Sequence, residues 1–113
     1  MTSRVETKKV LDQWLAGESA PEAVWRWASA EKETGNPEDA LVQDVVDVLA
    51  GLPYDLITEE DAEVMSYCLG NPVEESDLGQ NLLWNHLDGV DTDSRRRALA
   101  DDDFYGPFTG DIR

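Results

Sequence analysis

The sequence predicts an all-α fold: a compact bundle of four to five short amphipathic helices over residues 1–100, with an irregular or docked acidic and aromatic C-terminal tail over 101–113. Three observations predict it. Residues that start and stop helices recur at short intervals. The apolar residues between them fall at helical spacing. No segment alternates polar and apolar with the period of a strand. The intervening links of about two to six residues suit neighbouring helices in one small domain, and 113 residues fit one domain. A helical repeat array is the weaker alternative, because the spacing of helix stops at 17–19 and 35–36 has no fixed consensus.

The first helix opens at Ser3-Arg4-Val5-Glu6, a capping box in which the Ser hydroxyl accepts from the third helical N–H. Val10, Leu11, Trp14 and Leu15 share one face, and Gly17 is the stop. Ser19-Ala20-Pro21-Glu22 repeats the box, with Pro21 tolerated in the first turn. Ala20, Ala23, Val24, Trp27 and Ala28 form the second inner stripe, and Trp25 lies at its edge. The third helix opens at Asn36-Pro37-Glu38-Asp39. Leu41, Val42, Val45, Val46, Val48, Leu49 and Leu52 make it the most apolar, so it is expected at the centre. Gln43, Asp44 and Asp47 interrupt at helical positions, which argues against a strand. The fourth helix opens at Thr58-Glu59-Glu60-Asp61 and carries Ala62, Met65, Cys68 and Leu69 inward. The fifth runs from Pro72 or Ser76 to Gly89, with Leu78, Leu82, Leu83 and Leu87 as its stripe. A short sixth segment spans Asp93 to Ala100.

Charge bounds the function. The chain carries 25 Asp+Glu against 9 Lys+Arg, a formal net charge of -16. Nucleic acid and anionic lipid would be repelled as direct partners. No apolar run approaches the roughly 18 residues of a membrane span. The opening Met1 to Glu6 lacks the apolar core of a signal peptide, so a cytoplasmic location is expected. The charge is also polarised. Between Glu33 and Ser94 there are 16 acids and no Lys or Arg. Like charges held this close raise the free energy of the folded state, and a cationic partner would relieve that repulsion. Solubility, or adaptation to a salty cytoplasm, explains the same composition. Acids in a first helical turn, such as Glu59 to Asp61, also stabilise the helix dipole locally.

Catalysis and metal binding find little support. The chain has one Cys and one His, which excludes an internal disulfide, a Cys-based zinc site and a His pair. Cys68 falls on an inner helix face, and His86 sits where a cation favours a helix C-terminus or pairs with Asp88. Asp88 to Ser94 offers oxygen ligands without the order or the closing Glu of a calcium loop, and Asp101-Asp102-Asp103 matches a hard-cation site in composition only. There is no phosphate loop or nucleophile elbow. No catalytic residue, metal or cofactor is expected. Arg95-Arg96-Arg97 is too short a run for nucleic acid and suits internal pairing with carboxylates.

The run Val10-Leu11-Asp12-Gln13-Trp14-Leu15-Ala16-Gly17-Glu18-Ser19, followed by Glu22 and Trp27-Ala28, resembles the first helical hairpin of small bacterial immunity-type proteins. These are helical inhibitors encoded beside a toxin, including those similar to the colicin D immunity protein. The resemblance spans residues 8–28. It implies an acidic helical domain that plugs a basic nuclease site, presenting carboxylates where the enzyme expects phosphates. It carries no catalytic residue onto this chain.

Together these readings predict a non-enzymatic domain, monomeric or homodimeric, that docks on a basic protein, most concretely a toxin or nuclease. Glu59, Glu60, Asp61, Glu63, Glu74, Glu75 and Asp77 would supply the field, with Trp84 and Trp25 as anchors. The alternative is a structural or regulatory helical module whose acidity is only solubilising, paired as a homodimer through the third helix or the tail aromatics.

Overall fold

In the computed structural model, which describes residues 2–109, the most apolar segment of the chain becomes the centre of the molecule. Six α-helices are present among the described residues: α1 (Arg4–Leu15), α2 (Pro21–Thr34), α3 (Ala40–Ala50), α4 (Glu59–Leu69), α5 (Ser76–Asp88) and α6 (Thr92–Leu99). Among those residues there is no strand, only an isolated bridge between Thr2 and Pro37. The fold is thus the all-α bundle the sequence predicts, with a short irregular C-terminal segment.

Helix α3 buries Leu41, Val42, Val45, Val46, Val48 and Leu49, and Leu52 follows them inward. Helix α2 packs along α3, and α1 and α5 pack on either flank of α4. Leu11 and Trp14 of α1, Val24 and Ala28 of α2, and Ala62, Met65, Cys68 and Leu69 of α4 complete the core. Each apolar side chain of this size contributes roughly 1.5–3 kcal/mol on burial, so the stripes that define the helices also assemble them.

The caps follow the sequence in part. The Ser3 hydroxyl accepts from the Glu6 N–H at 3.0 Å, and the Asp61 carboxylate accepts from the Thr58 N–H at 2.9 Å. Gly17 and Gly35 take φ of +78° and +63°, the left-handed turn that ends a helix at no steric cost to glycine. The expected Ser19 box is not used. Ala20 precedes α2 without a side-chain cap, and Pro21 is the first helical residue. Helix α3 starts three residues later than expected, capped by Asp39, whose carboxylate accepts from the Val42 N–H at 2.9 Å. Asn36 and Glu38 are committed elsewhere. The Thr2 N–H donates to the Asn36 carbonyl and the Glu38 N–H to the Thr2 carbonyl, both at 2.8 Å, which holds this segment extended.

Helix α5 corrects the expected stripe. Leu83 is buried and Leu87 packs on the core, but Leu78 and Leu82 are exposed. The buried partner of Leu83 is Gly79. A Cβ there would lie 3.0 Å from Leu41 Cδ2 and 3.4 Å from Cys68 Cβ. The absence of a side chain lets α5 approach α3 and α4 closely, and that approach sets its rotation.

Arg4 links the first helix to the rest. Its guanidinium is largely buried and sits 2.9 Å from both Asp39 Oδ2 and the Asn71 carbonyl, with the Cys68 and Leu69 carbonyls at 3.4 Å. It caps the negative end of α4 while pairing with the N-cap of α3. About two turns further along α1, Asp12 accepts from Lys8 at 2.8 Å and Ser66 at 2.5 Å, and these bonds hold its carboxyl below the usual carboxylate range.

Two outcomes test this packing. Gly79→Val should destabilise the fold by about 1–3 kcal/mol in denaturant titration, because a Cβ and two methyls must enter a filled contact. Because folding lowers the Asp12 value, its stabilisation is complete above the ordinary carboxylate value of about 4 and is lost as pH falls through the lower folded value. Asp12→Asn should therefore unfold with a shallower pH dependence than wild type in that acid window, as followed by circular dichroism.

Candidate functional site

The residues expected to bind a partner separate into an exposed group and a buried one. Glu59, Glu60 and Glu63 lie on α4. Glu74 and Glu75 occupy a 3₁₀ turn, Val73–Glu75, and Asp77 falls in the first turn of α5. All six are exposed. Asp61 is not. It has no exposed surface, so it is no part of the field that the sequence placed there.

Four hydrogen bonds explain how a carboxylate is tolerated in that position. Asp61 accepts from Arg95 Nη1 at 2.5 Å, Arg95 Nη2 at 3.0 Å, His86 Nε2 at 2.7 Å and the Thr58 N–H at 2.9 Å. The donors come from α5, α6 and the turn before α4. Arg95 also donates to the Leu56 carbonyl at 3.2 Å and lies 3.6 Å from Glu60. Leu56 has φ of +55°, a left-handed conformation that costs a non-glycine residue about 1–2 kcal/mol. Its buried side chain and the guanidinium on its carbonyl hold it there. His86 thus pairs with Asp61, not with the expected Asp88, because Asp61 faces it across the α4–α5 seam.

The rest of the arginine run stays local. Arg96 sits 3.4 Å from Asp93 and Arg97 3.3 Å from Ser94 Oγ. The α1–α2 surface carries its own ion pairs, Lys8–Asp12, Arg26–Glu22 and Lys32–Asp47. With Arg4 and Arg95 drawn inside, no Lys or Arg side chain neutralises Glu63, Glu74, Glu75 or Asp77 among the described residues.

The two tryptophan anchors are not equivalent. Trp84 is 43% exposed and donates to Asp44 at 3.1 Å. It lines an open groove of about 410 Å³ with Tyr54, Ile57 and Leu87, walled by Asp47, Asp55 and Arg96. That groove lies on the α3 side of α5, apart from the acids of α4. Trp25 is half-buried and donates to the Ala50 carbonyl at 2.9 Å. Its ring meets Tyr54, Phe104 and Phe108 edge-on, with centroids 5.9–6.1 Å apart. Trp25 is the platform on which the tail docks, so it is not an open anchor. The Tyr105 hydroxyl, donating to the Ile57 carbonyl, fastens the same segment. Burial, reinforced by Asp102, Asp61 and Glu59, pushes that phenol well above its usual range.

Of the surfaces expected for a homodimer, the apolar residues of α3 are buried in this chain's own core, and Phe104 and Phe108 of the tail pack on Trp25. Residues 110–113 of the expected tail lie outside the described residues. The loop acids have local tasks: Asp91 accepts from the Ser94 N–H at 3.1 Å and Asp102 from the Phe104 and Tyr105 N–H groups at 2.8 and 2.9 Å. No cluster of three His, Cys, Asp or Glu among the described residues has metal-holding geometry. No helix of the described residues is long and apolar enough to cross a membrane. Sequence reasoning missed Arg4 as a buried cation; it expected the run Arg95–Arg97 to pair with carboxylates, as Arg95 does with Asp61, but not that this pair would be buried. The signal for Arg95 was present, as the first base after a long stretch without one.

Comparisons with known proteins return no match, whether with family models, curated proteins or solved structures.

The buried ion pair and the buried thiol each yield a measurable outcome. Asp61→Ala leaves the Arg95 guanidinium largely enclosed without its carboxylate and should cost about 3–5 kcal/mol of folding stability, whereas Glu60→Ala should stay within about 0.5 kcal/mol. Denaturant titration of both separates the structural acid from the surface one. Burial raises the Cys68 thiol, with Arg4 partly offsetting it, so an alkylating reagent should label Cys68 only as the protein unfolds.

Proposed function

We propose that this chain is a non-enzymatic acidic domain that docks on a basic protein surface, most concretely as an inhibitor occupying the positive cleft of a toxin or nuclease. One observation carries the reading. Glu59, Glu63, Glu74, Glu75 and Asp77 stand exposed on α4 and at the entry to α5, while the two arginines nearest the core are consumed by Asp39 and Asp61. A surface built this way steers a cationic partner and repels polyanions. The resemblance of residues 8–28 to the immunity-type hairpin agrees with that chemistry. A second reading, a structural or regulatory module whose acids only solvate it, is favoured by the exposed carboxylates on other faces, such as Glu18, Glu22, Glu33 and Asp101.

Retention from a host lysate at low and high ionic strength separates the two. A docking domain should hold a basic protein at low salt, release it at high salt and suppress that protein's activity in stoichiometric mixtures. Replacing Glu59, Glu60 and Glu63 by Lys should slow capture about tenfold or more without unfolding the domain. Binding indifferent to salt and to these replacements would sink the proposal.

A further inference from the structure

Helices α4 and α5 run antiparallel, since Asp61 meets His86 at one end of their seam and Cys68 meets Gly79 at the other. A helix turns about 100° per residue, so the faces beyond the seam can be ordered. On α5 the buried Leu83 leads past Gly79 and His86 to Leu82 and Leu78. On α4 the buried Met65 leads past Asp61 and Cys68 to Val64, then to Tyr67 and Glu60. Both outer stripes therefore emerge on the solvent side of one seam. At the Asp61–His86 end of the seam, a depression of about 480 Å³ is lined by Glu60, Asn85 and His86 together with the α5–α6 turn and Arg95, so both helices border it there.

This face is apolar where a surface helix is normally polar. Leu78 is 66% exposed, Leu82 45% and Tyr67 64%. Exposed Glu60 and Glu63 lie on α4 beside Tyr67, and exposed Glu74 and Glu75 lie in the turn that leads into α5. Among the described residues, the Lys or Arg that pairs with one of these acids is Arg95, at 3.6 Å from Glu60, and it is already bound to Asp61. Neighbouring exposed apolar side chains rimmed by charge of one sign mark an interaction surface, and the shallow valley between two packed helices accepts a third. A second copy of this chain would set these acids against themselves, so charge selects a different occupant.

We propose that the outer α4–α5 face binds an amphipathic basic helix of the partner protein. The helix covers Leu78, Leu82 and Tyr67 with apolar side chains and sets Lys or Arg against Glu60, Glu63 and Glu75. This rests on the docking reading above and locates it. Leu78 and Leu82 supply the specificity that charge alone does not.

The test uses two synthetic peptides of about 18 residues, roughly five helical turns. One is Leu on one helical face and Lys on the other; the second has the same composition in scrambled order. Each is titrated calorimetrically into the full chain at low and high salt. Wild type should bind the amphipathic peptide about tenfold or more tightly than the scrambled one, about 1.4 kcal/mol. Leu78→Ser with Leu82→Ser should erase that preference while leaving the helical circular dichroism intact. Glu18→Lys with Glu22→Lys, on another face, should preserve it. If the serine variant keeps the preference, or wild type shows none, the located site is wrong, while salt-sensitive binding of both peptides leaves the broader docking reading standing. If neither peptide's affinity responds to salt, the broader reading fails as well. Concentration-dependent self-association, lost in the serine variant during sedimentation, would assign the face to a second copy and overturn the proposal.

Discussion

A carboxylate with no exposed surface governs how the second half of the molecule is arranged. Asp61 cannot be buried alone, because removing an unpaired charge from water costs several kcal/mol even after relaxation. It is tolerated only where α5 presents His86, α6 presents Arg95 and the preceding turn presents the Thr58 N–H together. Those conditions hold the C-terminal end of α5 against α4, the landing of α6 and the left-handed backbone at Leu56. Ile57, next in the chain, then receives the Tyr105 hydroxyl, so the tail inherits its position from the same arrangement.

Burying two arginines has an electrostatic consequence outside the core. Arg4 and Arg95 are among only nine bases in the sequence, and both spend their charge on interior partners. The α1–α2 surface keeps its own local ion pairs, but the outer side of α4 and α5 is left to its carboxylates. Such a surface is destabilised by self-repulsion and is screened by salt over about a Debye length, roughly 8–10 Å at physiological ionic strength. The interior contacts that hold the bundle thereby also withhold two positive charges from its surface.

Helix by helix, what the sequence disclosed depended on the range of the interaction. Helices α3 and α4 were legible because their apolar spacing is dense, and the capping box of α4 was legible because it closes over three residues, whereas the cap of α3 was Asp39 and not the Asn36 at which the sequence opened it. The face of α5 was not, because hydrophobic periodicity counts Leu78 and Leu82 and gives no weight to Gly79, whose lack of a side chain decides the rotation. Asp61 looked like its neighbours Glu59 and Glu60, three acids in a first turn. What distinguishes it is a guanidinium 34 residues away, and no local pattern reports that. Trp25 likewise read as an unoccupied edge residue, since its partners Phe104 and Phe108 lie in a segment without periodicity. The acidic character of the candidate surface was legible from composition; which of its members face water was not.

The separation between Asp61 and Arg95 also bears on synthesis. As the polypeptide emerges from the ribosome, α1 to α4 can collapse around their apolar stripes, yet Asp61 must stay hydrated until the guanidinium that neutralises it has left the exit tunnel. At elongation rates of about 5–20 residues per second, that is an interval of seconds. A nascent chain halted before α6 would hold an open, wet α4–α5 seam, so consolidation of this half of the fold waits on the synthesis of α6.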